Sequence, residues 1–418
     1  MARLFNLMVL LVAYAGGAVA AHIGAEDQHL GVGEVSVGKG NGVPFMTYNM
    51  LAPQYKQRTR ICHKQDANDY EHPDVRWPKI QGYLQSAATA KAVIALQEVD
   101  KVWLSKLAVF FENEKVKYRW EALPRGEDDT SVLMAWPDEI YEKDGDASSS
   151  NSATVLKDLL KGETQGVDIQ VEQDFAEVTH FGNAVLLVRL KPRLFAAKPF
   201  LVATCHMPSC TKDNYEEKQR VQAIHTYLAL RFLENERQKT DDFAVFMGDF
   251  NFRPHSAPYR VLQGARLPFP SLLQLKTYMP EVRRPMQSAY WGCLRQEPKY
   301  TTYKHQPVTN DYIWMSKGTT AKACLQLPNL PGSKMPNAQE GSDHLPVVVM
   351  LEAPTEGKNQ VHVPQPMTRE NPGTDDIAGN FRALAHEWST QASMPQQGFA
   401  KKGVSTKSTA HNTDPSTN

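Results

Sequence analysis

The strongest constraint in this chain is a set of short apolar runs, each ending abruptly on polar residues. From Val43 onward these are VPFMTYNML, KAVIALQEV, SVLMAWP, NAVLLVRL, PFLVATCHM, FAVFMGDFN, NDYIWMS and DHLPVVVMLE. Their length and β-branched content suit strands buried on at least one face. Helical patterns lie between them. In DNYEEKQRVQAIHTYLALRFLENERQ, Val221, Ile224, Leu228 and Phe232 recur at three- and four-residue spacing, which predicts an amphipathic helix capped by Asp213 or Asn214. The intervals are irregular and no internal repeat is present, so the pattern predicts one α/β unit over residues 43–353.

Within that unit, residues 138–174 are rich in Asp, Ser, Glu and Lys, which predicts a mobile surface insertion. After Pro354 the composition shifts to Pro, Thr, Asn, Gln and Ser, which predicts a mostly disordered tail over 354–418, interrupted by one possible helix at DDIAGNFRALAHEW. The 418 residues balance 46 basic against 46 acidic side chains. With no net field to steer an anion, an anionic substrate has to be held locally, by a metal or a few basic groups.

The N-terminus, MARLFNLMVLLVAYAGGAVAAHIG, has a basic start, an apolar stretch and an A-x-A arrangement at Ala18 and Ala20. This is the pattern of a secretory signal peptide over residues 1–21, cleaved near Ala20 or Ala21 and leaving no stable membrane anchor. The expected location is secreted or secretory-lumenal, and routing to an organelle fits the same start. The five cysteines have no C-x-x-C spacing, which disfavours a zinc site. One disulfide, such as Cys205 with Cys210, fits secretion; buried reduced thiols fit equally.

Four strand ends carry groups able to hold a divalent cation. Asn49 follows PFMTY, Glu98 follows VIALQ, Asp249 and Asn251 follow AVFMG, and Asp343 and His344 precede LPVVVM. Carboxylate and amide oxygens suit a hard cation such as magnesium and suit zinc poorly. Taken singly, each group has a structural explanation as a turn former, cap or solvated strand end. Together, at ends that a sheet would bring to one edge, they predict a site. Two apart on an extended chain, Asp249 and Asn251 are expected to face it side by side. His206 ends the run VATCHM, and His344 is fixed by the strand that follows it, as a positioned acid or base requires.

In order along the chain, TYNML, LQEVD, ATCHM, GDFN, NDYIW and GSDHLP resemble the signature of the endonuclease/exonuclease/phosphatase superfamily, which includes deoxyribonuclease I, abasic-site endonucleases, sphingomyelinases and inositol polyphosphate phosphatases. Longer stretches resemble the branch of nocturnin, the Angel proteins and the poly(A) deadenylases: TYNMLAPQY, GDFNFRPHSAPYRVL, YTTYKHQPVTNDYIWMS and LPNLPGSKMPNAQEGSDHLP. The resemblance implies a deoxyribonuclease I-like fold, a four-layer α/β sandwich of two mainly antiparallel sheets packed face to face with helices outside. It also implies a magnesium site, in which manganese can substitute, at Glu98 with Asn49 and Asp343. Asp249 is then implied to position or deprotonate the attacking water, and Asn251 and His206 to hold phosphate oxygens. His344, paired with Asp311, is implied to contact the scissile phosphate or act as general acid or base.

The implied activity is a metal-dependent phosphodiesterase of nuclease type, foremost a 3′–5′ exoribonuclease of single-stranded RNA. The alternatives are a secreted non-specific endonuclease, a phosphatase of a small metabolite or lipid headgroup, and a non-catalytic binding module. The sequence departs from the deadenylase pattern after its ATCHM motif, where MPSCTKDNY lacks an early aromatic. Stacking on aromatics holds single-stranded RNA, and Phe252, Tyr290, Trp291 and Tyr303 are the candidates elsewhere.

Overall fold

The structure is a computed structural model that describes residues 42–54, 70–124, 130–159, 169–181, 183–193, 198–209, 215–240, 243–265, 283–328, 333–352 and 377–393. The expected signal peptide at 1–21, Cys210, the candidate caps Asp213 and Asn214, and the tail over 354–376 and 394–418 lie outside the described residues.

In chain order the strands are β1 (Val43–Asn49), β2 (Val93–Val99), β3 (Tyr118–Pro124), β4 (Ser131–Pro137), β5 (Tyr141–Lys143), β6 (Ser148–Asn151), β7 (Ala184–Pro192), β8 (Phe200–His206), β9 (Ala244–Asp249), β10 (Met286–Ser288), β11 (Thr302–Tyr303), β12 (Pro307–Val308), β13 (Asp311–Ser316), β14 (Thr320–Cys324) and β15 (Val347–Glu352). All eight apolar runs fold as strands. The helices are α1 (Pro73–Thr89), α2 (Lys101–Glu112), α3 (Ser152–Leu159), α4 (Ile169–Phe181), α5 (Tyr215–Thr240), α6 (Ala257–Leu262), α7 (Ala289–Leu294) and α8 (Ile377–Ser393).

Two sheets form the body of the fold. The first has strand order β14-β15-β1-β2-β4-β3; the second has order β10-β13-β9-β8-β7-β5, with β6 also paired to β7. Each is antiparallel except for one central pair, β1 with β2 and β8 with β9. The central strands of the two sheets face each other, β1 and β2 lying against β8 and β9.

Both faces of the second sheet are covered, which explains why its strands read as continuous apolar runs rather than alternating ones. In β8, Phe200 and Val202 enter the core between the sheets, whereas Leu201, Ala203 and Cys205 enter a second core with Ala229, Leu230 and Leu233 of α5. The same alternation divides Val245 and Met247 from Ala244 and Phe246 in β9. On the other side of the sandwich, Tyr48 of β1 meets Tyr83 of α1 edge to face. The layers are therefore helix, sheet, sheet, helix, as the resemblance implied.

Two segments are better integrated than their composition predicts. Residues 138–174 supply β5 and β6, both antiparallel to β7, and part of the helices that pack on α5. There Arg220 Nε donates to the buried Asp174 Oδ2 at 2.8 Å. The insertion extends a sheet edge instead of lying loose on the surface, because its Ser-rich strand satisfies backbone groups that β7 leaves open. The helix foreseen in the tail is α8. It packs on α1 through Ile377, Phe381, Ala385 and Trp388, so the structural unit reaches past residue 353. No helix among the described residues is long and apolar enough to cross a membrane.

Gly248 sets the contact between the central strands of the second sheet. Its φ is +152°, and a Cβ built there would lie 2.1 Å from the carbonyl oxygen of Cys205 on β8. Gly248→Ala is expected to force β8 and β9 apart at the point where they deliver His206 and Asp249, at a cost on the order of 3 kcal/mol. Urea denaturation of the variant measures this; stability equal to the parent would contradict it.

Candidate active site

The period of two in the strands places the polar side chains. In β8 the inward row Phe200, Val202, Thr204 ends at His206; in β9 the row Val245, Met247 ends at Asp249; in β13 the row Met315, Ile313 ends at Asp311. Register aligns the three, since His206 pairs with Asp249 and Asp249 with Asp311. From the first sheet, Thr47 and Gln97 share this inner space, where Gln97 Nε2 donates to Thr47 Oγ1 at 3.0 Å and to Thr204 Oγ1 at 3.2 Å. Asn49 ends the same row of β1.

Glu98 follows inward-facing Gln97 directly, so simple alternation would send it to the opposite face. The backbone prevents this. Glu98 has φ +57°, and the pairing of β2 with β4 shifts register between Leu96 and Val99. A bulge of this kind re-aims a side chain. Here Glu98 Oε1 accepts from Asn49 Nδ2 at 3.1 Å and Oε2 from the backbone of Ala52 at 2.9 Å.

Asp343 and His344 come from the loop before β15. Ser342 Oγ donates to the Asn49 carbonyl at 2.6 Å, Thr302 Oγ1 and the Tyr303 amide donate to the Asp343 carbonyl, and Thr302 bridges to His344. His344 Nδ1 then donates to Asp311 Oδ2 at 2.8 Å, an oxygen that also accepts from Thr301 Oγ1 at 2.6 Å. This orients the other ring nitrogen, Nε2, towards Asp249 Oδ2 at 3.7 Å and Asp343 Oδ1 at 3.9 Å.

Asp249 is the hub of the cluster. Its Oδ2 accepts from Asn49 Nδ2 at 3.0 Å and lies 3.5 Å from His206 Nε2, while Oδ1 accepts from the Asn251 amide at 2.9 Å. Burial, reinforced by the charge of Asp311, pushes its carboxyl up to about 7. Burial and the charge of Asp343 raise Glu98 against the hydrogen bonds from Ala52 and Asn49. Burial opposes charge on His344, but Asp311 and Asp249 outweigh it and hold the imidazole well above its ordinary value. Perturbed proton affinities gathered in one buried cluster are typical of sites that handle protons.

The donor set fits a hard divalent cation. Asp343 Oδ1 is buried and accepts no hydrogen bond from the described residues, and the charge of Asp343 acts on Glu98. A buried carboxylate whose proton affinity is raised by burial and by a neighbouring carboxylate is a place where a cation inverts the local balance. Asn49 turns its amide nitrogen towards Glu98 and Asp249 while its Oδ1 accepts from Leu51 N at 3.0 Å, so its ligand atom would be an oxygen with one bond already made. A second grouping is also able to hold an ion: Asp249, Asp311 and His344 each offer a ligand atom, all within 4.8 Å of one another.

Three expectations change. Asn251 does not continue an extended chain beside Asp249: its φ is +53° and its Nδ2 donates to the Met207 carbonyl at 2.7 Å, so it braces β8 against the turn. Phe252 is buried and stacks on Tyr312, and Tyr290 is buried with its hydroxyl on the Leu325 carbonyl. Both are core residues, because aromatic area near a strand end is worth more buried than exposed. Trp291 is 37% exposed beside His255, and half-buried Tyr303 adjoins the site through its backbone bond to Asp343.

Sequence reading missed Arg76. Fully buried in α1, it donates through Nε to the Gly341 carbonyl and through one terminal nitrogen to Met50 and Leu51, with its guanidinium 4.9 Å from the Trp103 ring. It thus ties the turn after Asn49 to the loop before Asp343. The signal was present: Arg76, Ile80, Tyr83 and Ala87 form one buried helical stripe, and a cation on such a stripe needs partners.

The model of the endonuclease/exonuclease/phosphatase family matches residues 46–344. The chain belongs to this family. Membership places it among hydrolases acting on phosphoester bonds. Among solved structures, the fold is similar to ANGEL2, described as a 2′,3′-cyclic phosphatase in complex with adenosine-2′,3′-vanadate (TM-score 0.55, 16% identity, 74% of this chain and 95% of that one). It is also similar to the human Nocturnin catalytic domain with bound sulfate (TM-score 0.48, 18% identity, 75% and 94%). A further similar structure is a mannosyl-6-phosphatase from Bacteroides thetaiotaomicron (TM-score 0.47, 13% identity, 74% and 99%). No curated protein sequence matches the chain.

Arg76→Met is expected to leave the buried Met50 and Gly341 carbonyls without their donor, while the Leu51 carbonyl keeps Trp103 Nε1, lowering stability by about 2–3 kcal/mol, and to reduce hydrolysis by letting the Asn49 and Asp343 loops separate. Denaturation and turnover measured together check this. A variant that loses neither would show that the guanidinium does not hold the site.

Proposed function

We propose that this endonuclease/exonuclease/phosphatase family member is a magnesium-dependent phosphodiesterase that degrades single-stranded RNA from its 3′ end. The observation carrying this reading is the convergence on Asp249 of Asn49, His206 and the His344–Asp311 pair. The RNA assignment is supported by the longer motifs shared with the nocturnin and deadenylase branch, above all GDFNFRPHSAPYRVL and the segment from YTTYKH to NDYIWMS. Entry into the secretory route is part of the same proposal and rests on residues 1–21.

Hydrolysis of a phosphodiester requires an activated water, stabilisation of the phosphate's growing charge, and a proton for the leaving alkoxide. Asp249 sits where its carboxylate orients a water and takes its proton, and Asn49 and His206 fix that carboxylate. His344, held protonated by Asp311 and Asp249, presents Nε2–H to a phosphate oxygen or to the leaving group. Glu98 and Asp343, with Asn49, would hold a magnesium ion, which when bound supplies charge neutralisation at the phosphate. Thr301 and Asp311 keep the His344 ring from rotating away.

A second reading, hydrolysis of a small phosphoester, is favoured by the burial of Phe252 and Tyr290, which removes two of the four candidate stacking surfaces. A panel of poly(A), duplex DNA and small phosphoesters, each with magnesium or with chelator, separates the two. RNA shortened from its 3′ end only with magnesium is the expected result, and Asp249→Ala should cut that rate on the order of a thousandfold. Intact RNA alongside a cleaved small phosphoester would replace the first reading with the second.

A further inference from the structure

Cys293 and Cys324 lie outside the site just described and have no part in its chemistry. Cys293 is in α7, which follows β10 at the edge of the second sheet; Cys324 ends β14 at the edge of the first. Their Sγ atoms are 2.7 Å apart, inside the contact distance of two unbonded sulfurs and a short movement from a disulfide bond of roughly 2.05 Å.

The surroundings hold the two thiols in this position. Helix α7 packs along β14, and Gly292 lies close to Ala321 and to the end of the Met315 side chain. The Tyr290 hydroxyl on α7, three residues before Cys293, donates to the Leu325 carbonyl, and the Leu325 amide, next to Cys324, donates to the Val348 carbonyl, so the helix carrying Cys293 is tied to the backbone that follows Cys324. Both cysteines are only partly buried, so a small oxidant can reach them. Cys324 donates its hydrogen bond to Cys293, which lowers the Cys293 thiol below its usual range although burial works against this. Cys293 is therefore the better nucleophile of the pair.

We propose that Cys293 and Cys324 form a disulfide in exchange with a small disulfide oxidant such as oxidised glutathione, stapling α7, which follows the edge strand of the second sheet, to the edge strand β14 of the first. Cys293 thiolate attacks one sulfur of the oxidant, forming a mixed disulfide and expelling the first glutathione thiolate. Cys324 then loses its proton and attacks the Cys293 sulfur, expelling the second. Two protein thiols and one glutathione disulfide become one protein disulfide and two glutathione thiols; the two electrons and both protons end on glutathione.

The bond closes a covalent loop from 293 to 324, and that loop contains Thr301, Tyr303 and all of β13 with Asp311. Oxidation therefore restrains the unfolded chain around the strand that orients His344.

The full chain, first reduced, is incubated with oxidised glutathione, blocked with N-ethylmaleimide, digested with trypsin and mapped by mass spectrometry. The peptides carrying Cys293 and Cys324 should be recovered joined, and separate again after dithiothreitol. The oxidised protein should melt higher than the reduced one by on the order of 5–10 °C. In Cys293→Ser and Cys324→Ser, this oxidation-dependent shift should disappear. Maleimide on both cysteines after oxidation would overturn the proposal, as would either cysteine linked to a different one. A joined pair with unchanged melting would overturn the staple. The wild-type readouts stand even where a serine variant folds poorly.

Discussion

The hydrogen bond from Asn49 Nδ2 to Asp249 Oδ2, buried and spanning 200 positions of sequence, is the contact on which the site depends. It joins the end of the parallel pair in one sheet to the end of the parallel pair in the other. Each sheet has a single parallel pair at its centre, and a parallel pair brings two strand ends of the same sense side by side. Packing two such centres face to face puts four strand ends at one edge of the sandwich. The polar cluster is therefore a consequence of topology, and the apolar rows behind it, Val202, Val245, Met247 and Ile313, exclude water and strengthen every charge interaction within it.

The backbone carries strain at the places where function demands it. Glu98 and Asn251 both occupy left-handed conformations that non-glycine residues adopt at some cost. In each case local bonds hold the conformation: Ala52 N and Asn49 Nδ2 on the Glu98 carboxylate, and Met207 O and Asp249 Oδ1 on the two nitrogens of Asn251. Leu51, also left-handed, is held by Asn49 Oδ1 on its amide and Arg76 on its carbonyl. Strain and hydrogen bonding are thus interlocked around one carboxylate cluster.

How much of this was legible in the sequence follows from the same physics. Strand runs were readable because burial on both faces leaves an uninterrupted apolar signal. Asp249, His206 and Asn49 were readable as strand ends because a period of two carries an inner row straight to its last residue; Asp311 entered only through the family resemblance. Glu98 was readable as a residue type but not as a direction, since its inward turn depends on a bulge that no spacing reveals. The paired strands in 138–174 were hidden because their Ser-rich sequence carries no apolar alternation, and the edge of β7 supplies the partner. Phe252 and Tyr290 were misplaced because an aromatic beside a motif reads the same whether it faces a ligand or the core.

Arg76 shows why the site needs support from outside the sheets. The Asn49 turn and the Asp343 loop come from distant parts of the chain and run on beyond the paired ends of β1 and β15, where Ser342 Oγ on the Asn49 carbonyl and the Arg76 guanidinium hold one to the other. A lysine could offer one point charge there; the planar guanidinium reaches three carbonyls at fixed angles. Its charge is also compensated, since Asp343, Glu98 and Asp100 all act on it electrostatically. The cation that braces the loops is thereby part of the field that the acidic cluster experiences. Removing it would change both the spacing of the candidate metal ligands and their mutual repulsion, so in this fold the geometry and the electrostatics of the site cannot be varied independently at position 76.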